Sequence, residues 1–200
     1  MFRLGLTGSM ATGKSFALSA FGELGLPTCS ADAVVHRLYE GDAVEKVEAL
    51  FPGVAVAGRV DRAELSRRLV AAPGRLAELE AVVHPLVRRD MLAFLAEADA
   101  GGADIAVLEI PLLFESANAY PLDAVAVTVC EPAEQRRRAL SREGMSGEKF
   151  EAILARQLPQ DEKRRRADFV IDTAGSYDET RAQIRAIVER IRRRVRGQRE

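Results

Sequence analysis

The sequence GSMATGKS at residues 8–15 decides how the rest of the chain is interpreted. It has the spacing G-x-x-x-x-G-K-[ST] and stands between a short hydrophobic run and a helical pattern. Gly8 and Gly13 allow the backbone to curl, so that consecutive N–H groups point inward at phosphate oxygens. Because the following helix adds its positive N-terminal end, the pattern predicts a loop that binds a nucleoside triphosphate.

Lys14 and Ser15 are the chemically active side chains of this loop. The Lys14 ammonium can reach the β- and γ-phosphates, and the Ser15 hydroxyl can be a ligand of Mg²⁺. A glycine turn with an incidental lysine is the alternative, and the strand before the loop and the helix after it argue against that. We predict ATP and Mg²⁺ as cofactors, with ATP bound by Gly8, Met10, Ala11, Thr12, Gly13, Lys14, Ser15 and Phe16.

The order of hydrophobic runs predicts the fold class. Runs rich in valine, isoleucine and leucine predict buried strands at residues 2–7, 26–30, 104–110, 123–130 and 168–173. Helical patterns lie between these runs, from a first helix at 14–24 to a last one with an apolar stripe. This alternation predicts an α/β protein whose five-stranded, mostly parallel sheet is flanked by helices.

Two helical segments interrupt the alternation. Residues 32–103 are too long for a plain crossover and predict an inserted lobe that closes over a substrate. Residues 132–165 form a second, arginine-rich insert. We predict a single domain over 1–200, with a core of about 1–31, 104–131 and 166–200, a helical substrate-binding lobe at 32–103 and a helical lid at 132–165.

Charge and composition narrow the class of protein. The net charge of −1 argues against a general nucleic-acid binder, although the eight arginines within 181–199 fit either a solvated helix end or a tail that binds polyanions. Two well-separated cysteines predict buried thiols in a reducing compartment. With neither a signal-peptide pattern nor an apolar run of about 20 residues, we expect a cytoplasmic protein that does not bind membranes.

The rest of the sequence discriminates among the classes of protein that carry a phosphate-binding loop. A GTPase would need a base-reading N-K-x-D stretch, which the sequence lacks, and a motor ATPase is usually longer. A short chain with helical flaps favours a P-loop kinase fold, in which water is excluded around a small acceptor.

Asp32 is the candidate for orienting that acceptor. It follows the second predicted strand, at the carboxyl edge where ligands of open α/β sheets gather. A carboxylate with an ordinary pKa of about 3.9 is too weak to ionise an alcohol, but it can align a hydroxyl and accept its proton late in phosphoryl transfer. The alternative is that Asp32 caps a helix at 33–40, with His36 on the same face.

Motifs along the whole chain resemble those of dephospho-coenzyme A kinases. They are LTGSMATGKS with SADAVVHRLY, VDRAEL, LEAVVHPLVR, EIPLLFE, QRRRALSREG and ADFVIDTAG. The phosphate loop is widespread, whereas the order of HPLVR and PLLFE is specific to this family. The resemblance implies phosphorylation of the ribose 3′-hydroxyl of dephospho-CoA by ATP, giving coenzyme A and ADP in the last step of coenzyme A biosynthesis.

The resemblance also implies roles for individual residues. Lys14, Asp32 and Arg142 would be catalytic, and Ser15 with Glu109 would hold Mg²⁺. From residue type alone, His84 before a proline is typical of a turn. The resemblance instead implies that it binds substrate or acts as a structural hinge. The residues it implies for binding dephospho-CoA are Asp32, Arg62, His84, Arg88, Leu112 and Phe114.

The second insert resembles the lid of the family. Arg138 and Arg142 fit its pattern of arginines that grip phosphate oxygens, whereas Arg136 and Arg137 are expected to be solvated. Gly175 lies where the family binds adenine. We therefore add Arg138, Arg142 and Gly175 to the ATP-binding residues.

Four positions depart from the pattern of the family. Ser9 stands where a second glycine is more common. Phe16 stands where threonine is common, Ser30 replaces a frequent aspartate, and Thr173 replaces a common asparagine. We expect these departures to change the affinity for substrates and not to abolish activity, because neither Lys14 nor Asp32 is changed.

Two other functions stay open on the sequence. One is another P-loop small-molecule kinase with a nucleoside monophosphate or sugar acid as acceptor, and the other is a nucleotide-gated binding protein. For the predicted dephospho-CoA kinase we expect a monomer or a weak homo-oligomer.

Overall fold

The computed structural model describes residues 1–116 and 119–197 of the chain. Its strands are β1 (Phe2–Gly8), β2 (Thr28–Ser30), β3 (Ala55–Val56), β4 (Arg59–Val60), β5 (Ile105–Glu109), β6 (Ala124–Val129) and β7 (Phe169–Asp172). Its α-helices are α1 (Lys14–Glu23), α2 (Ala31–Leu38), α3 (Val44–Leu50), α4 (Arg62–Ala71), α5 (Leu76–Ala100), α6 (Pro132–Leu140), α7 (Gly147–Leu154), α8 (Gln160–Arg166) and α9 (Tyr177–Gly197). A short 3-10 turn at Pro73–Arg75 precedes α5.

Five of the strands form one sheet in the order β2-β5-β1-β6-β7. Strand β1 pairs in parallel with β5 and β6, and β6 pairs in parallel with β7. The predicted α/β class is confirmed. The predicted strands overlap the observed ones and extend beyond them by one or two residues at most of their ends.

The chain divides into two compact units, Met1–Thr28 with Ala98–Glu200, and Cys29–Glu97. In the first unit, residues of β1, β6 and β7 pack against α1 and α9 in a core that includes Leu6, Phe21 and Ile171. The apolar stripe predicted for the last helix is part of this core, since Ile184 and Ile191 are fully buried. This packing supports both ends of the loop that joins β1 to α1.

The second unit contains α2 to α4, most of α5 and a two-stranded antiparallel hairpin of β3 and β4. The hairpin was not predicted, because strands of two residues have no measurable hydrophobic period. The turn expected at His84 is also wrong, since α5 continues through Pro85. Its buried residues recur every fourth position, at Leu79, Val83, Val87 and Met91. Burial of this stripe outweighs the backbone hydrogen bond that an internal proline removes.

The prediction that Asp32 could cap a helix at 33–40 is wrong as well. Helix α2 begins at Ala31, directly after β2, and its N-cap residue is Ser30. Asp32 therefore has helical backbone and lies in the first turn, where a carboxylate interacts favourably with the helix dipole.

Within the part of the chain that the structure describes, the helices are either too short or too polar to cross a bilayer.

Candidate active site

The loop between β1 and α1 disfavours a side chain at both of its glycines, for different reasons. A Cβ atom on Gly8 would lie 2.2 Å from the Thr128 hydroxyl oxygen. Gly13 is the N-cap residue of α1 and has a φ of 86°, in the left-handed region that glycine adopts without strain. A Cβ atom there would lie 3.1 Å from the Thr173 side chain. The loop therefore requires glycine at residue 8 for space and at residue 13 chiefly for its backbone conformation.

The Lys14 side chain folds back over the loop. Its Nζ donates hydrogen bonds to the carbonyl oxygens of Gly8 at 2.9 Å and Ser9 at 3.0 Å. The ammonium is thus held on the concave side of a loop whose following helix points its N-terminus the same way. A cation and a helix N-terminus converging on one loop form an anion-binding site.

Buried threonine hydroxyl groups stabilise the backbone of the loop by hydrogen bonds. Thr12 Oγ1 donates to the Ser9 carbonyl at 2.8 Å and lies 2.8 Å from Thr128 Oγ1. Thr173 Oγ1 lies 3.0 Å from the Thr12 carbonyl and 3.2 Å from that of Val129. Thr173 departs from the pattern of the resembled family, and its hydroxyl directly supports the phosphate loop.

The other loop-side predictions occupy distinct environments. Ser15 is exposed in the first turn of α1, and Glu109 is buried at the carboxyl end of β5. The ring of Phe16 packs 4.5 Å from that of Tyr177, and the Arg181 guanidinium lies 5.0 Å from its centre. Phe16 therefore joins α1 to α9 instead of offering a hydroxyl.

Arg138, in the second insert, is the predicted ATP-binding arginine that the structure connects to the loop. Its guanidinium donates to Thr173 Oγ1 at 3.0 Å, to the Thr173 carbonyl at 2.7 Å and to Glu134 Oε1 at 2.6 Å. Hydrogen bonds from Arg137 and then Arg138 lower the pKa of Glu134 to about 2. Glu134 therefore remains a carboxylate at neutral pH and keeps the Arg138 guanidinium oriented.

The remaining arginines of α6 and its C-terminal side are exposed. Arg142 follows α6, and its backbone N–H donates to the Ala139 carbonyl at 3.1 Å. Arg136 pairs with Glu151 and Arg137 with Glu134, both on the surface. Of the arginines predicted to bind ATP, the structure thus connects Arg138 to the loop, while Arg142 lies on an exposed turn.

Gly175 lies between β7 and α9. Ser176 and Glu179 form a reciprocal capping box, in which the Glu179 carboxylate accepts from the Ser176 N–H at 2.6 Å and the Ser176 hydroxyl oxygen accepts from the Glu179 N–H at 3.2 Å. A Cβ atom on Gly175 would lie 2.3 Å from the Glu179 carboxylate. The capping box therefore accounts for glycine at this position.

Leu112 and Phe114 follow β5 in the same unit. Leu112 is 43 % exposed and Phe114 is half-buried. The Pro111 carbonyl accepts a hydrogen bond from the Thr7 hydroxyl at 3.3 Å, which attaches this segment to β1.

Four predicted substrate residues belong to the second unit. Asp32, Arg62, His84 and Arg88 are all exposed there. His84 and Arg88 are one helical turn apart on α5 and share a face. Arg62 begins α4, and its charge opposes the effect of burial, which raises the pKa of Tyr39.

A cavity of about 530 Å³ opens beside the loop in the first unit. Its lining includes Ser9, Gln135 and Gln157, with Cys130 at the end of β6. Burial raises the pKa of the Cys130 thiol, so this group is a thiol and not a thiolate at neutral pH. Sequence reasoning missed Gln135 and Gln157, because glutamine carries no motif and both are more than a hundred residues from the loop that they contact.

These observations define the class of protein. A phosphate loop between the first strand and first helix of a parallel sheet, supported by an arginine of an inserted helix, is the arrangement of a P-loop kinase. A family model described as dephospho-CoA kinase matches residues 2–179. The chain belongs to the dephospho-CoA kinase family.

Individual relatives agree with this membership. A dephospho-CoA kinase of Rhizobium meliloti is 56% identical over 192 residues, which are 96% of this chain and 99% of the relative. The crystal structure of a Thermus thermophilus protein matches with a TM-score of 0.79 and 35% identity, over 94% of this chain and 97% of that one. A dephospho-CoA kinase from Campylobacter jejuni matches with a TM-score of 0.68 and 25% identity, over 94% and 96% of the two chains.

Proposed function

We propose that this chain transfers the γ-phosphoryl group of ATP to the ribose 3′-hydroxyl of dephospho-CoA, the last step of coenzyme A biosynthesis. The observation that carries the proposal is the match to dephospho-CoA kinases over nearly the whole chain, including the helical segment 32–103. This segment would distinguish the chain from kinases that share the sheet and the loop but act on a nucleoside monophosphate or a sugar acid.

The donor side of the reaction is supported by the geometry of the loop. Backbone N–H groups from Gly8 to Ser15 and the N-terminus of α1 would hold the ATP phosphates. The Lys14 ammonium would exchange its carbonyl partners for phosphate oxygens and neutralise the charge that develops during transfer.

The donor set of Ser15 and Glu109 fits Mg²⁺. The described residues contain no cluster of three or more histidine, cysteine or acidic side chains that would form a complete metal cage. A hydroxyl and a carboxylate are hard oxygen ligands, and Mg²⁺ usually completes its shell with water and substrate phosphates. When bound, Mg²⁺ would supply charge neutralisation at the β- and γ-phosphates.

On the acceptor side, Asp32 would receive the ribose hydroxyl. Its carboxylate is exposed and follows β2 by two residues, in the first turn of a helix that fixes its backbone. It would align the hydroxyl oxygen and accept the proton as the new bond to phosphorus forms. Arg62, His84 and Arg88 would bind the charged groups of dephospho-CoA, and Leu112 with Phe114 would contact its pantetheine arm.

Arg138 and Arg142 would stabilise the transferring phosphoryl group from the lid. Arg138 is already oriented by Glu134 and Thr173, whereas Arg142 lies on an exposed turn and would move toward the nucleotide. Gly175 would lie beside the adenine. We further propose a cytoplasmic enzyme that needs neither nucleic acid nor membrane and acts as a monomer or weak homo-oligomer.

The test measures ADP release from the purified protein with ATP, Mg²⁺ and dephospho-CoA, and separately with AMP or a sugar acid as acceptor. We expect ADP release to exceed the background ATPase rate when dephospho-CoA is the acceptor, and not when AMP or a sugar acid is. Stimulation by another acceptor instead would overturn the acceptor assignment.

A variant tests the role of Asp32. Asp32→Asn should lower turnover by about 10² or more while leaving ATP binding in place. Glu45→Gln is the control, because Glu45 is also an exposed acid in the first turn of a helix in the same unit. If Asp32→Asn and Glu45→Gln had equal turnover, Asp32 would have no role in orienting the acceptor.

A further inference from the structure

Met10 of the phosphate loop is held by glutamine side chains on both of its backbone polar groups. Its N–H donates to Gln157 Oε1 at 3.0 Å, and its carbonyl accepts from Gln135 Nε2 at 2.7 Å. Gln160 Nε2 donates to Gln135 Oε1 at 2.9 Å, and Gln160 Oε1 accepts from the Cys130 N–H at 3.0 Å. A continuous series of amide hydrogen bonds thus runs from the end of β6 to the loop.

The next residue of the loop has an uncommon conformation. Ala11 has a φ of 60°, which is left-handed and costs an alanine about 1–2 kcal/mol. Such conformations persist where the surrounding structure determines them. The Ala11 side chain is buried with Ala139 of α6 and Phe150 of α7. Ala11 therefore packs against helices of the second insert, while the preceding residue, Met10, is hydrogen-bonded to glutamine side chains of the same insert.

The segment that carries Gln157 is itself anchored. Glu115 Oε1 accepts from the Leu158 N–H at 2.9 Å and lies 2.8 Å from Lys163 Nζ, which is fully buried. The Glu115–Lys163 distance is that of a close ion pair, although its angles do not make it a hydrogen bond. Leu158, the residue after Gln157, is therefore tied to Glu115, which in turn pairs with the buried Lys163, and this anchors the segment from which Gln157 presents its oxygen.

We propose that Gln157, together with Gln135, is a positioning residue that keeps Met10 and Ala11 in the conformation that binds the phosphates of ATP. The inference rests on the proposed function in one respect, namely that the loop binds ATP. It adds a role for the second insert: besides supplying arginines, its helices maintain the strained part of the loop between turnovers. Loss of the Gln157 acceptor should therefore weaken nucleotide binding even though this side chain touches no phosphate.

The experiment measures binding of Mg²⁺-ATP by calorimetry without any acceptor, in the full-length protein. Gln157→Met removes the acceptor oxygen at nearly constant length, and we expect the dissociation constant to rise about five- to tenfold. Gln183→Met is the matched control, since Gln183 bonds the backbone of Asp172 through its side chain, and it should leave the constant unchanged.

A second substitution separates positioning from general stability. Ala11→Gly accepts a positive φ without strain, so Gln157→Met should cost less than about threefold in that background. Equal ATP binding by wild type and Gln157→Met, or an effect that Ala11→Gly leaves unchanged, would overturn the inference. Failure of the wild type to bind Mg²⁺-ATP would instead overturn the proposed function.

Discussion

Arg138 holds both oxygen atoms of Thr173, with distances of 3.0 Å to the hydroxyl and 2.7 Å to the carbonyl. The same hydroxyl lies 3.0 Å from the carbonyl of Thr12. One threonine therefore connects an arginine of the second insert with the backbone of the phosphate loop. This connection means that substitutions at residue 173 act on the loop and on the arginine together.

Removing the Thr173 hydroxyl should affect both stability and ATP use. Thr173→Val keeps the shape of the side chain but leaves the buried Thr12 carbonyl without this donor, which should cost about 1–3 kcal/mol of unfolding free energy. The KM for ATP should rise as well, because Arg138 loses an acceptor. Urea unfolding and initial rates measure the two effects, and Thr173→Ser should restore both. A valine variant that matches wild type in both measurements would contradict the role of this hydroxyl.

Glu134 should matter for activity more than for stability. Hydrogen bonds from Arg137 and Arg138 lower the pKa of the Glu134 carboxyl to about 2. The ion pairs of Glu134 with these arginines are therefore fully formed above its ordinary pKa of 4.5 and are lost as the pH falls toward 2. Glu134→Gln at neutral pH should reduce kcat/KM for ATP several-fold by releasing Arg138. It should change the urea midpoint little, since exposed ion pairs stabilise weakly.

The chain contains a matched control for Glu134. Glu162 bonds Arg165 and Arg166 at the same three- and four-residue spacings on α8, and these arginines also lower the pKa of its carboxyl. Glu162→Gln should leave kcat/KM unchanged. A similar loss in both variants would assign the effect to surface charge and not to the orientation of Arg138.

How much of this site follows from the sequence depends on how far apart the interacting residues are. The loop, its strand and its helix were predictable because glycine, lysine and hydrophobic periodicity act over neighbouring residues. The hydrogen bond from the Met10 N–H to the Gln157 side chain joins residues 147 positions apart, and the local sequence around either residue does not predict it. Continuation of α5 through Pro85 likewise depends on a buried stripe that favours the helix more strongly than proline disfavours it.

Gly13 should tolerate alanine poorly for a reason beyond its backbone. Gly13→Ala must adopt a φ of 86° and also places a Cβ atom 3.1 Å from the Thr173 side chain. Gly25→Ala meets a similar φ of 77° with no atom within 4 Å, so it isolates the cost of the backbone alone. We expect both to unfold at lower urea concentration and Gly13→Ala alone to lose ATP affinity. Equal ATP affinity of the two variants would show that the Thr173 contact is unimportant.

Lys14 should be dispensable for folding and necessary for transfer. Its Nζ bonds two carbonyls in a half-buried position, so Lys14→Met should cost little stability, yet it removes the cation that neutralises the transferring phosphoryl group. We expect kcat/KM for ATP to fall about 10²–10³-fold. Lys149→Met is the control, because Lys149 also donates to a backbone carbonyl, that of Gly144 at 3.2 Å, on an exposed helix. The prediction is wrong if Lys14→Met keeps wild-type turnover, because the loop would then bind phosphate without stabilising its transfer.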